Sequence, residues 1–247
     1  MDFGARRIGR MQINDDDHVV LSRQQLVSAD FGDRHLVQFS AEGCRFENCR
    51  FDNAVIESAS FGAGRVASEY VGCTFDGAKL YMGPGGYARF TDCSFGGTLI
   101  EGWFCFAVEL VDCTFTGRLK KVVFNGSVPA EKQDVVGRQI NQFEGNDFSR
   151  AKLVDVGFRT GIDLTKQRLP VGDDYVLLDD AQAAVRRARG AFNAWDDPEA
   201  KKRARGVLAV MEEDVAAGQS QLLIRVDDYP RPARPAIRAL LAAAQAA

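Results

Sequence analysis

Histidine is nearly absent from this chain: 247 residues contain only His18 and His35. Both lie near the N-terminus, which leaves little for general acid–base chemistry. No C-x-x-C pair accompanies them, so the usual zinc spacings are missing. No G-x-S-x-G elbow occurs, and no glycine-rich phosphate loop of the right form follows a strand. Carboxylates such as Glu47, Asp52, Glu57, Asp76 and Asp112 are plentiful, yet none stands out as half of an acid–base pair. These absences point to a non-catalytic protein with no metal and no cofactor.

Other absences narrow the setting. No apolar run approaches the roughly 20 residues of a membrane helix, and Met1 to Arg10 lacks the apolar stretch of a secretory signal. A cytoplasmic protein without membrane association is expected. The formal net charge is −3, too close to zero to favour a nucleic-acid partner. Arg outnumbers Lys 23 to 8, a composition that hints at a GC-rich, bacterial genome. Apolar residues make up 46%, enough for a substantial core.

What is present is a period. Leu21, Leu26, Phe31, Leu36, Ala41, Phe46, Phe51, Ile56, Phe61, Val66 and Val71 recur every fifth position. Phe75, Leu80, Phe90, Phe95, Ile100, Leu110 and Phe115 hold a second phase, and Phe143, Phe148, Leu153 and Phe158 a third. The phase slips by one residue between Val71 and Phe75, which predicts a shortened coil there. Five is neither the helical nor the strand period; a short fixed period marks a solenoid whose coils stack. Five of the six cysteines sit two places before a Phe: Cys44, Cys49, Cys73, Cys93 and Cys113. A cysteine tied to a repeat position serves as a small buried hydrophobe, not as half of a disulfide.

A period of 20 is nested on the period of five. Gly72-Cys-Thr-Phe-Asp-Gly77, Asp92-Cys-Ser-Phe-Gly-Gly97 and Asp112-Cys-Thr-Phe-Thr-Gly117 match one another. Four five-residue faces make a square coil, and residues 20 apart then stack at the strand spacing of about 4.8 Å. Phe75, Phe95 and Phe115 should form an aromatic column.

The units Cys44-Arg-Phe-Glu-Asn48, Cys49-Arg-Phe-Asp-Asn53, Ala59-Ser-Phe-Gly-Ala63, Asn146-Asp-Phe-Ser-Arg150 and Ala151-Lys-Leu-Val-Asp155 resemble the pentapeptide-repeat family, whose unit is A-(D/N)-(L/F)-x-x. The resemblance spans about 19–164. It implies a mainly β protein, a right-handed quadrilateral parallel β-helix, here followed by a small α-helical region. The residues it places inside are Phe46, Phe51, Ile56, Phe61, Phe75, Leu80, Phe90, Phe95, Phe115, Phe143, Phe148, Leu153 and Phe158, with the five repeat cysteines.

The organisation follows. An N-terminal segment or cap covers 1–18. The β-helix covers 19–165, with Met82-Gly-Pro-Gly-Gly-Tyr87 as a bulge or loop and a projecting insertion near 125–142. From 166 to 247 the pattern becomes helical. Ala181, Ala184, Val185, Ala188, Phe192 and Trp195 fall at helical steps over 178–195. Asp197-Pro198 opens a second helix ending near Gly218. The stretch 220–226 is a short strand or helix turn, and a last helix covers 236–246. These helices should cap the open end of the β-helix or mediate a homodimer.

The leading functional expectation is a protein–protein interaction module with an unidentified protein partner. Tyr70, Tyr81, Tyr87, Trp103 and Phe104 are its exposed-aromatic candidates, joined by Lys132 and Gln133 of the insertion. The family also contains proteins that protect DNA gyrase and topoisomerase IV from quinolones and toxins, some by mimicking DNA. Residues 41–165 carry 16 acidic and 13 basic side chains, so the rod is only mildly acidic for such mimicry. A third expectation is nucleic-acid binding through Arg186, Arg187, Arg189, Lys201, Lys202, Arg203 and Arg205.

Overall fold

The computed structural model of the chain describes residues 12–13, 17–83 and 86–246. From His18 to Arg159 the backbone winds as a parallel β-solenoid. One sheet runs from His18–Ser22 through Gln38–Glu42, Val55–Ser60, Lys79–Met82 and Leu99–Glu101 to Arg118–Asn125, and Lys152–Arg159 pairs with that strand. A second runs from Gln25–Val27 to Phe143–Glu144. Gln12–Ile13 pairs antiparallel with Val19 and Val20. The rest of the expected N-terminal segment, and Pro84-Gly85 of the expected bulge, lie outside the described residues.

Four columns of inward side chains fill the coils. The first is all phenylalanine: Phe31, Phe51, Phe75, Phe95, Phe115 and Phe148. Successive rings lie 4.6–4.8 Å apart with planes within 10°. That distance is the strand spacing itself, so the backbone ladder sets the ring stack. The second column is aliphatic: Leu36, Ile56, Leu80, Ile100, Leu119 and Leu153. The third includes Cys105, Phe124 and Phe158. The fourth is Leu26, Phe46, Tyr70, Phe90, Leu110 and Phe143.

Most corners are made by a residue with positive φ two places after the inward one. Asn48, Asn53, Asp92 and Asp112 adopt φ of 52–56°, and Gly72 and Gly77 adopt 61° and 70°. Asn, Asp and Gly tolerate this left-handed conformation best, which explains their recurrence at that place.

Three expectations about the coils are corrected. Val66 is 43% exposed and Val71 faces partly outward; Tyr70 fills the inward place instead, fully buried, with its hydroxyl donating to the Phe61 carbonyl. The phase break therefore lies in 62–67, and that coil is lengthened: Phe51 stacks on Phe75 across 24 residues. Trp103 is also inside. It packs edge-on against Phe90 and takes the place usually held by a small residue, while the small Cys105 takes the large one. Exchanging the two sizes along one coil keeps the enclosed volume nearly constant.

The insertion does not project as a free loop. It forms helix α1 (Ala130–Val136) and is tied back to the solenoid. Asn141 donates to the Phe106 and Asn125 carbonyls, and Arg138 donates to the Ala107 carbonyl.

The C-terminal region is a second hydrophobic unit with its own core. Helix α2 (Ala181–Ala194) is capped by Asp180, whose side chain accepts from Ala183 N. Helix α3 (Pro198–Ala216) starts with Asp197 as cap and Pro198 in its first turn, and buries Ala204, Val207, Leu208 and Met211. Helix α4 (Arg234–Gln245) packs on both. An unexpected hairpin joins them: Tyr175–Leu178 pairs antiparallel with Leu222–Arg225.

This unit covers the last coil. Backbone N–H groups that would otherwise bond to a following coil find side chains. Leu153 N donates to the Tyr175 hydroxyl and Asp155 N to Asp228. Leu164 N donates to Gln221, and Gly161 N and Ile162 N donate to Gln219. An exposed strand edge is a template for unwanted pairing; here each of these groups is satisfied.

Candidate interaction surface

The repeat cysteines lie inside the coils. Cys49, Cys73, Cys93 and Cys113 precede residues paired across successive coils, so their thiols stack in one ladder beside the phenylalanine column. All six cysteines are free and buried. The thiols donate to backbone carbonyls, Cys73 to Phe46 and Val71, Cys93 to Tyr70 and Thr91. The hydrogen bond from Cys49 lowers the Cys73 pKa, but the one with Cys93 and burial outweigh it, leaving it pushed up to about 12. Burial alone pushes Cys105 well above the ordinary thiol range. Such thiols are poor nucleophiles and poor metal ligands.

The surface candidates separate into two groups. Tyr70 and Trp103 belong to the core. Tyr81, Phe104 and Phe106 are exposed, by 39%, 45% and 40%. Phe104 and Phe106 flank the buried Cys105, because alternate residues of a strand face opposite sides. Lys132 of α1 lies 5.6 Å from the Tyr87 ring centroid and 5.7 Å from that of Phe106. The insertion thus places a cation over two aromatic faces. Gln133 anchors the same helix by donating to the Val128 carbonyl. The apolar run Trp103-Phe-Cys-Phe106 reads in the sequence as one that puts some aromatics outside, and the outward ones are Phe104 and Phe106.

A cleft of about 200 Å³ separates Lys152–Arg159 from α3. Asp214 and Arg159 meet there at 3.2 Å. Burial raises the Asp214 pKa, and the Arg159 charge works against that shift.

The basic clusters of the helical region are largely engaged within it. Arg187 donates to the Ala244 carbonyl, Arg189 pairs with Glu212, and Arg203 donates to the Pro232 carbonyl. Lys201 donates to the Asn193 carbonyl and sits over the Phe192 ring.

Among the described residues, no group of three or more His, Cys, Asp or Glu side chains could hold a metal ion, and no helix is long and apolar enough to cross a membrane. No protein-family model matches the chain, and no curated protein matches it.

Proposed function

We propose that this chain is a non-catalytic interaction protein of the pentapeptide-repeat type, binding another protein through the side of its solenoid. One observation carries the reading. Phe104 and Phe106 are exposed on either side of the buried Cys105 on the solenoid wall, and the Lys132 cation lies over the rings of Phe106 and Tyr87. Exposed aromatics on a preorganised surface bind with little ordering cost. The test is affinity capture from a bacterial lysate with wild type and with Phe104→Ser/Phe106→Ser. A protein retained by wild type and lost by the variant supports the reading; identical captures argue against it.

A second reading is modulation of DNA gyrase or topoisomerase IV. It is favoured by α1, which buries none of its residues and stands on the flank of a rod. Supercoiling by gyrase, titrated with the protein with and without a quinolone, tests it. Inhibition or protection near stoichiometric amounts supports this reading, and no effect in either arm removes it.

A further inference from the structure

Charges facing each other across neighbouring coils are paired with opposite signs over most of the solenoid. Arg50 binds Asp30, Arg89 binds Glu109, Lys120 binds Glu101 and Arg168 binds Asp147; Arg45 binds Glu69. Asp52 and Asp76 have the same sign, but each accepts a backbone N–H, from Asp76 and from Gly96.

One stripe breaks this rule. Lys79, Leu99, Arg118 and Lys152 stand in register on successive coils, with their side chains outward. Arg118 and Lys152 are direct neighbours in the ladder. Arg150 lies beside them, and all four cations are exposed. None of the four makes an ion pair among the described residues. Like charges opposed across strands destabilise a sheet. The stripe spans three coil steps, about 15 Å.

We propose that this stripe docks an acidic segment of a protein partner, laid along the coil axis. The inference rests on the interaction-module reading above and supplies its partner chemistry. Charge complementarity demands an anion, because among the described residues no carboxylate pairs with the four cations. A polypeptide fits better than a nucleic acid. Half-buried Leu99 and Val154 and exposed Tyr81 interleave the cations, offering contacts to apolar side chains. Glu57, Glu101 and Asp155 border the face, and the evenly charged phosphate backbone would run against them. A peptide can place its carboxylates only where the cations stand. At its far end the stripe opens into a cleft lined by Arg150, Lys152, Pro170 and Tyr175. The carboxylates of that cleft are already held: Arg225 binds Asp174 at 3.0 Å, and Arg234 binds Asp227 at 2.6 Å.

The test uses the full chain and two labelled probes of equal charge, a glutamate–leucine peptide and a thymidine oligonucleotide, read by fluorescence anisotropy. The variant is Lys79→Gln/Arg118→Gln/Lys152→Gln. Wild type should bind the peptide, more weakly as salt rises, and the variant at least about tenfold more weakly. The variant's melting temperature should be unchanged or higher, since the repulsion is gone. Equal peptide binding by the variant, or a lower melting temperature, would overturn the proposal. Preferential binding of the oligonucleotide would reassign the stripe to nucleic acid. A protein partner captured equally by wild type and by this variant would sink the stripe alone and leave the aromatic surface standing.

Discussion

The side-chain carboxamide of Gln219 holds Ile162 as a peptide group of a further coil would. Its oxygen accepts from Ile162 N at 3.1 Å, and its nitrogen donates to the Ile162 carbonyl at 2.8 Å. The same oxygen accepts from Gly161 N at 3.0 Å. Gln219 is 2% exposed, so water cannot replace it. Gln219→Leu should therefore cost about 1–3 kcal/mol for each buried group left unpaired. Hydrogen exchange should accelerate at Gly161 and Ile162 and stay unchanged around Phe75. Unaltered exchange there would mean that the cap does not close the solenoid.

Phe95 lies between Phe75 and Phe115 in the aromatic column, 4.7 and 4.6 Å from their ring centres. It is 1% exposed. Phe95→Ala should destabilise by about 3–5 kcal/mol through lost burial and the cavity left behind. Phe95→Asp should be worse, because it buries an unpaired charge. Thermal melts of both variants check the order. Equal stability of Phe95→Asp and wild type would contradict the inward register.

Much of this is legible in the sequence. The five-residue recurrence placed Phe51, Phe75, Phe95 and Phe115 inside, since a coil core admits large side chains only at its inward places. The helical spacing from Ala181 to Ala188 was equally direct. The phase near Val66 is misleading because an inserted corner of a few residues leaves an accidental apolar residue on the five-residue count. Only the partner strand decides that Tyr70, not Val66 or Val71, faces in. Trp103 misled for another reason: its coil exchanges large and small places, and composition alone does not show which comes first. The hairpin of Tyr175–Leu178 with Leu222–Arg225 was hidden because its halves are separated by two helices. The cation stripe was invisible for the same geometric reason, as Lys79, Arg118 and Lys152 become neighbours only when coils of unequal length stack.

Arg50 bridges Asp30 and Asp33, at 3.0 and 2.9 Å. Its hydrogen bond is the main reason the Asp30 carboxyl is held below its ordinary 3.8. Asp33 is held down first by Asn53 and then by Arg50. A depressed carboxylate contributes stability above its unfolded pKa and loses it as pH falls through the folded value. Arg50→Gln should therefore raise the Asp30 pKa back toward 3.8 and move Asp33 less. Carbon-detected NMR titration of the two carboxyl groups measures this. A larger shift at Asp33 than at Asp30 would reverse the assignment.

The six cysteines are free and buried, and, against the hydrogen bond from Cys49, the one with Cys93 together with burial pushes the Cys73 thiol up to about 12. Two measurements follow from that state. In the native protein a thiol reagent such as Ellman's should modify none of the six, and all six should react once denaturant opens the coils. Melting curves with and without reductant should superimpose, since no cross-link constrains the unfolded chain. A transition that moves down on reduction would show that neighbouring rungs of the Cys49, Cys73, Cys93 and Cys113 ladder are bonded in solution. Their use as small apolar fillers beside the phenylalanine column would then fail. If the curves superimpose, the ladder is a packing device, and Cys93→Ala should cost only the small loss of buried sulfur volume.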